Sequence, residues 1–209
     1  MHIGIIGTGA MGSALGLLWA RQGHVVTFSY SRNPAKLEQM AREAGHRSRV
    51  GTPQEAAAAH VVLISVLWSR VDEALAAAGS LKGKIVIDCM LPMMADDSAL
   101  AIGHTTSGGE QLADKTGARV VKAFNTIFSD VLAAENRAFG ADTPTMFYCG
   151  DDLEAKQVAA ELIQEAGFEP VDAGRLQRSR FLEPLGLLIG TLALEEGFGE
   201  QIGLKFLRR

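Results

Sequence analysis

Two rhythms of apolar residues alternate along this chain. Short runs rich in Val and Ile recur at residues 3–6, 25–30, 61–66, 84–89, 119–124, 145–150 and 168–173, with a weaker one at 47–50. Each has a strand's length and is bounded by polar residues, glycine or proline. Between them lie stretches with helical spacing. Residues 10–21 carry Ala14, Leu17 and Leu18 on one side and stop before Gly23, and Pro34 opens a helix to about residue 44. Thr52 caps a short helix with Pro53 at its first position, and helices at 71–78, 109–115, 153–166 and 180–196 follow. The run at 61–66 is apolar throughout, as in a strand covered on both faces. Such alternation predicts an α/β protein with a doubly wound parallel sheet between two helical layers. Residues 1–123 are expected to form the main domain, and 124–209 a smaller α/β lobe closing a cleft upon it. The rhythm slackens at 91–106, a loop long enough to suggest function.

The first strand runs into Gly7-Thr8-Gly9-Ala10-Met11-Gly12, which fits G-x-G-x-x-G. Between a strand and a helix, this is the phosphate turn of a Rossmann domain. Gly7 permits the tight turn, Gly9 lets backbone approach a pyrophosphate, and Gly12 lets the helix lie against the strand. The helix start then offers free N–H groups and partial positive charge to the anion.

The end of the second strand selects the dinucleotide. A free ribose 2′-hydroxyl is usually held by an acid about 20 residues after the glycines. Here Ser31 and Arg32 stand there, Lys36 follows, and residues 25–35 contain no carboxylate. A hydroxyl, a guanidinium fork and an ammonium suit a 2′-phosphate, so the expected cofactor is NADP(H).

Composition removes several alternatives. The chain has 209 residues, 47% hydrophobic and 21% charged, which are globular proportions. Its net charge of −4 argues against nucleic acid as the main partner. The longest apolar stretch, 184–194, is too short to span a bilayer, and no signal peptide precedes the first strand, so a cytoplasmic location is expected. Cys89 and Cys149 read as buried reduced thiols. The histidines are scattered without ligand spacing, so no metal site is expected, and no G-x-S-x-G elbow or Walker lysine is present. His24 reads as a structural hydrogen-bonder, Lys122 as a surface or structural charge, and Lys205, Arg208 and Arg209 as a solvated tail.

Two strand ends carry further candidates. Val66, Leu67 and Trp68 follow the run at 61–66, and Asn125 and Thr126 follow that at 119–124. Both places lie on the carboxyl edge of the sheet, where ligands of open α/β folds gather. In the last helix Leu182, Leu185, Ile189 and Leu192 form one stripe, to be covered by the sheet or by a second subunit, and a homodimer is expected.

Together these residues resemble the NADPH-dependent reductases of the deazaflavin coenzyme F420. The resemblance rests on the Gly7–Gly12 turn, Ser31-Arg32 with Lys36, Trp68 and Lys122-Ala123-Phe124-Asn125-Thr126. It extends to Cys149-Gly150-Asp151-Asp152, Asp172-Ala173-Gly174 and Gly203-Leu204-Lys205-Phe206-Leu207. It implies a Rossmann domain with a small C-terminal lobe, a deazaflavin in the cleft between them, and a homo-oligomer. It also implies that Thr8, Gly9, Ala10 and Met11 hold the pyrophosphate, and Ser31, Arg32 and Lys36 the 2′-phosphate. Asn125, Thr126, Ile127 and Leu207 would line the acceptor side. Archaeal members tend to have a histidine in place of Asn125. The Lys-Ala-Phe-Asn-Thr version is also similar to the cytosolic NADPH-binding domains of membrane ferric reductases, which pass hydride to a flavin.

The expected reaction is hydride transfer between NADPH and a small-molecule acceptor of deazaflavin or flavin type, with a hydrogen bond from Asn125 or a backbone N–H to the acceptor ring. Two rivals are a dehydrogenase for a small carbonyl or imine and a non-catalytic NADPH-binding protein. Against the first, strands recur to about residue 173, where such dehydrogenases usually continue as an all-helical domain.

Overall fold

A computed structural model describes residues 1–209 apart from Arg32 and His46. Eight strands form one sheet: β1 (His2–Ile6), β2 (Val25–Ser29), β3 (Arg49–Val50), β4 (Val61–Ile64), β5 (Ile85–Asp88), β6 (Arg119–Lys122), β7 (Thr145–Gly150) and β8 (Glu169–Asp172). The helices are α1 (Ala10–Arg21), α2 (Pro34–Glu43), α3 (Pro53–Ala57), α4 (Val71–Ala78), α5 (Gly108–Thr116), α6 (Ser129–Ala133), α7 (Leu153–Glu165) and α8 (Ser179–Leu194).

The strand order is β3-β2-β1-β4-β5-β6-β7-β8. The first six strands are parallel in the Rossmann order, with the switch of direction at β1 and β4. The apolar runs follow from burial on both faces. Ile3, Ile5, Val61, Leu63, Ile85, Ile87 and Val121 join α1, α2 and α7 in one core. Their neighbours Ile6, Val62, Ile64, Val86 and Val120 join α3, α4 and α5 in another. Alternate residues of a strand point to opposite faces, so each run serves two layers.

Departures from the sequence reading fall after β6. β7 runs antiparallel to β6, with Val121 opposite Gly150 and Lys122 opposite Cys149, so the sheet is mixed rather than wholly parallel. β8 is parallel to β7. The part from residue 124 onward therefore continues the main sheet, with α7 packed against it. Trp19 of α1 ties the two parts together. Its indole N–H donates to the Leu162 carbonyl at 3.1 Å, and its ring meets Phe124 edge-on at 5.8 Å. Lys205 is no free tail charge: its ammonium donates to Glu169 at 2.7 Å and to the Thr143 carbonyl at 2.9 Å, pinning the C-terminal segment beside β8. His24 is buried between the N-terminal amine, at 2.9 Å, and Glu165, at 2.6 Å, a structural role as expected. Cys89 and Cys149 are free and buried.

Candidate functional site

The glycine turn is built as its spacing predicts. Gly7 has φ +102°, and a Cβ there would strike the Ser65 carbonyl on β4's exit. A Cβ on Gly12 would strike the Gly7 carbonyl, so α1 lies directly against the turn. At Gly9 a Cβ would meet nothing within 4 Å, so open space rather than protein flanks this residue. Helix α1 starts with no side-chain cap and no acid in its first turn. Its first N–H groups are left to an anion. The Thr8 hydroxyl beside them is buried and lacks a protein partner.

A cavity of about 470 Å³ opens from this turn. Gly7, Thr8 and Gly9 line it together with Ser31, Lys36, Val66 and Leu67. Asn33 shapes the end of β2 by accepting from the Lys36 N–H at 3.3 Å as the cap of α2. Its own N–H donates to Ser31 Oγ at 3.1 Å. Tyr30 reverses the chain there with φ +57°. Burial and the neighbouring Glu73 raise the Tyr30 phenol above its ordinary pKa of 10.0, so it stays neutral. Arg32 lies outside the described residues.

Sequence reasoning missed five of the described residues that line this cavity: Tyr30, Asn33, Ser65, Arg70 and Glu73. Arg70 and Glu73 form an ion pair at 3.4 Å. The cavity thus has a carboxylate, but on α4 rather than at the end of β2, and Arg70 offsets it. Lys36 leaves the described charges of the lining positive. No motif marks Arg70 and Glu73, because a loop and a helix start far from the glycines bring them in.

A second cleft of about 290 Å³ continues beyond Val66 and Leu67, which line both spaces. Met11, Trp68, Phe124, Asn125 and Ile127 bound it, together with Met93 and Met94 of the long loop. The irregular stretch after β5 is thus one wall of the site. The remaining candidates lie elsewhere. Ala10 is exposed at the start of α1. Thr126 is buried, with its hydroxyl 3.8 Å from the Met146 sulfur. Leu207 is 79% exposed in the C-terminal segment and lines neither space.

Asn125 has a defined orientation. Its amide nitrogen donates to the Leu182 carbonyl of α8 at 2.7 Å. Its oxygen is buried and has no protein partner. The amide therefore leaves an acceptor unpaired and has one of its two N–H groups committed to Leu182.

Behind the cleft lies a buried ionic cluster. Lys122 Nζ is 2.7 Å from Asp88, 2.8 Å from Glu183 and 2.9 Å from the Met90 carbonyl. Glu183 also accepts from the N–H groups of Gly108 and Gly109 at the start of α5, both at 3.0 Å. Burial disfavours the lysine's charge, but the two carboxylates outweigh it and raise its pKa above the ordinary 10.5. Lys122 is thus structural, but wholly interior.

Among the described residues, no three His, Cys, Asp or Glu side chains gather as a metal site. No helix among them is long and apolar enough to cross a membrane. A Rossmann sheet, a glycine turn at an uncapped helix, and Ser31 with Lys36 at the end of β2 define the class: an oxidoreductase domain of the NADP-dependent kind.

The comparisons are more specific. Residues 2–92 match the family described as NADP oxidoreductase, coenzyme F420-dependent. The metalloreductase STEAP3 of Rattus norvegicus is a homologue, 31% identical over 193 residues. That match takes in 89% of this chain but only 37% of the relative's length. Among solved structures, one assigned provisionally as an F420-dependent NADP-reductase from Arthrobacter sp. FB24 superposes with a TM-score of 0.86. It is 28% identical over 99% of both chains. A hypothetical protein of Sinorhizobium meliloti is 27% identical, with a TM-score of 0.74 over 100% of this chain and 96% of its own. A reductive aminase from Aspergillus terreus shares the fold at 23% identity and a TM-score of 0.65, over 93% of this chain and 62% of the aminase.

Proposed function

We propose that the chain binds NADP(H) across both cavities and passes hydride to a flat-ring acceptor, the deazaflavin coenzyme F420 or a flavin. The observation that carries this reading is the continuity of the two spaces at Val66 and Leu67. One space runs from the phosphate turn to Ser31 and Lys36. The other is a mainly apolar cleft large enough for stacked rings.

The residues fit the group. The free N–H groups of α1, the unpartnered Thr8 hydroxyl and the open flank of Gly9 suit a pyrophosphate. Ser31 and Lys36, with Arg32 between them in sequence, suit a 2′-phosphate. When bound, NADPH supplies the hydride from its nicotinamide ring, and the chain's work is to orient the rings and exclude water. Met11, Trp68, Met93 and Phe124 supply apolar walls for that purpose. No protein acid or base has to act on carbon.

Helix α8 exposes Phe181 and Leu188 on one side and Leu194 near its end, with no charged residue on the helix after Glu183. A second copy of the chain is the proposed cover, giving a homodimer.

Stopped-flow mixing of the NADPH-loaded protein with coenzyme F420 and, separately, with flavin mononucleotide tests the reaction. Rapid loss of nicotinamide absorbance with one of them is expected. No oxidation by either sinks the proposal, and turnover with a small imine or carbonyl instead would move the chain to that class.

A further inference from the structure

Resting on the reading of the second cleft as the nicotinamide end, we infer that Asn125 reads the carboxamide of that ring. Its side-chain oxygen is the acceptor for the carboxamide N–H. The argument starts from the amide's orientation. A backbone carbonyl only accepts hydrogen bonds, so the 2.7 Å contact with Leu182 requires the nitrogen of Asn125 to face α8. The oxygen then points the other way. It is buried, no protein group satisfies it, and its residue lines the cleft. A buried acceptor left unpaired is costly, and native structures retain one where a ligand completes it.

The orientation is enforced from behind. Glu183, next to Leu182, is anchored by Lys122 at 2.8 Å and by the Gly108 and Gly109 N–H groups. One turn further, Gly186 passes so close that a Cβ there would strike the Asn125 carbonyl and come within 3.0 Å of its amide nitrogen. Phe124, with φ +64°, turns the chain so that Asn125 meets α8. The helix therefore fixes which atom of the amide is left without a protein partner.

The surroundings narrow the donor. Met11, Cys89, Met93 and Phe124 line the cleft with apolar or weakly bonding side chains, and Trp68, Ser69 and Asp97 are its other hydrogen-bonding side chains. Within the dinucleotide, the carboxamide at the nicotinamide end carries an N–H for this oxygen. Holding it would fix which face of the ring is presented to the acceptor.

The test compares NADP⁺ with its 3-acetylpyridine analogue, in which a methyl group replaces the carboxamide nitrogen, by calorimetric titration. Adenosine 2′,5′-bisphosphate reports on the other end of the site. The unaltered protein should bind NADP⁺ about tenfold or more tightly than the analogue. Asn125→Ala should bring that ratio close to one with the bisphosphate affinity unchanged, while loss of the buried bond to Leu182 lowers the thermal midpoint by a few degrees. A ratio near one in the unaltered protein, a measurement that needs no variant, overturns the inference. So does a ratio that survives in Asn125→Ala. If the bisphosphate and NADP⁺ both fail to bind, it is the reading of the two cavities that falls, and this inference goes with it.

Discussion

Lys122 Nζ lies 2.8 Å from a carboxylate oxygen of Glu183, and neither side chain is reached by solvent to any useful extent. The pair joins the end of β6 to the middle of α8, and Asp88 completes it from β5 at 2.7 Å. One cation then faces two carboxylates in the protein interior. The N–H groups at the start of α5 supply the balancing positive potential on Glu183.

Lys122→Met should be strongly destabilising, by about 3–5 kcal/mol, because it strands two buried carboxylates. Urea unfolding checks this. A midpoint within experimental error of the unaltered protein's would show that the cluster is not held as drawn.

Alkaline pH should weaken the fold. The raised pKa of Lys122 means that its contribution is complete below the unfolded lysine value and is lost as pH rises through the folded one. The thiols act in the same direction. Burial pushes Cys89 up to about 12 and Cys149 up to about 11, from 9.0. An unfolded chain releases these protons sooner, so stability should fall from pH 9 upward. Thermal midpoints between pH 7 and 11 measure it, and at pH 8 neither thiol should react with an aromatic disulfide until denaturant is added.

Two glycines of the turn, Gly12 and Gly9, should separate folding from binding. Gly12→Ala forces a side chain onto the Gly7 carbonyl and should lower the thermal midpoint markedly. Gly9→Ala meets no protein atom and should leave the midpoint within a few degrees. Its methyl group would still crowd a pyrophosphate, so NADPH affinity should fall at least about tenfold, the size of a lost charge-assisted contact. Equal thermal shifts in the two variants would contradict this division.

Lys36→Ala, and separately Arg32→Ala, should raise the Kd for NADPH by about tenfold or more and leave that for NADH nearly unchanged. Fluorescence titration with both cofactors measures the selectivity. A parallel loss for both would place the 2′-phosphate elsewhere.

Leu188 is 52% exposed on the outer face of α8. Leu188→Glu should convert the proposed dimer to monomer in sedimentation velocity, with thermal stability reduced. A protein that sediments as a monomer without the substitution rules the dimer out.

The order of elements and the phosphate turn were legible in the residues because both are local. A strand buried on two faces shows as an unbroken apolar run, as at Val61–Ile64. The constraints on Gly7 and Gly12 come from backbone a few residues away or from the adjoining strand. The absence of an acid after β2 could likewise be counted along the chain. The tertiary structure alone decided the rest. Arg70 and Glu73 enter the first cavity because β4 neighbours β1, not because of any pattern around them. β7 runs antiparallel to β6 after the connection at 123–144, and no apolar period marks that direction. Lys122 reads as an ordinary charge until Asp88 and Glu183 converge on it, and the Asn125 amide has no orientation until Leu182 accepts from its nitrogen. Those pairings join segments far apart in the chain, and a one-dimensional pattern carries no information about which distant partner will satisfy a buried polar atom.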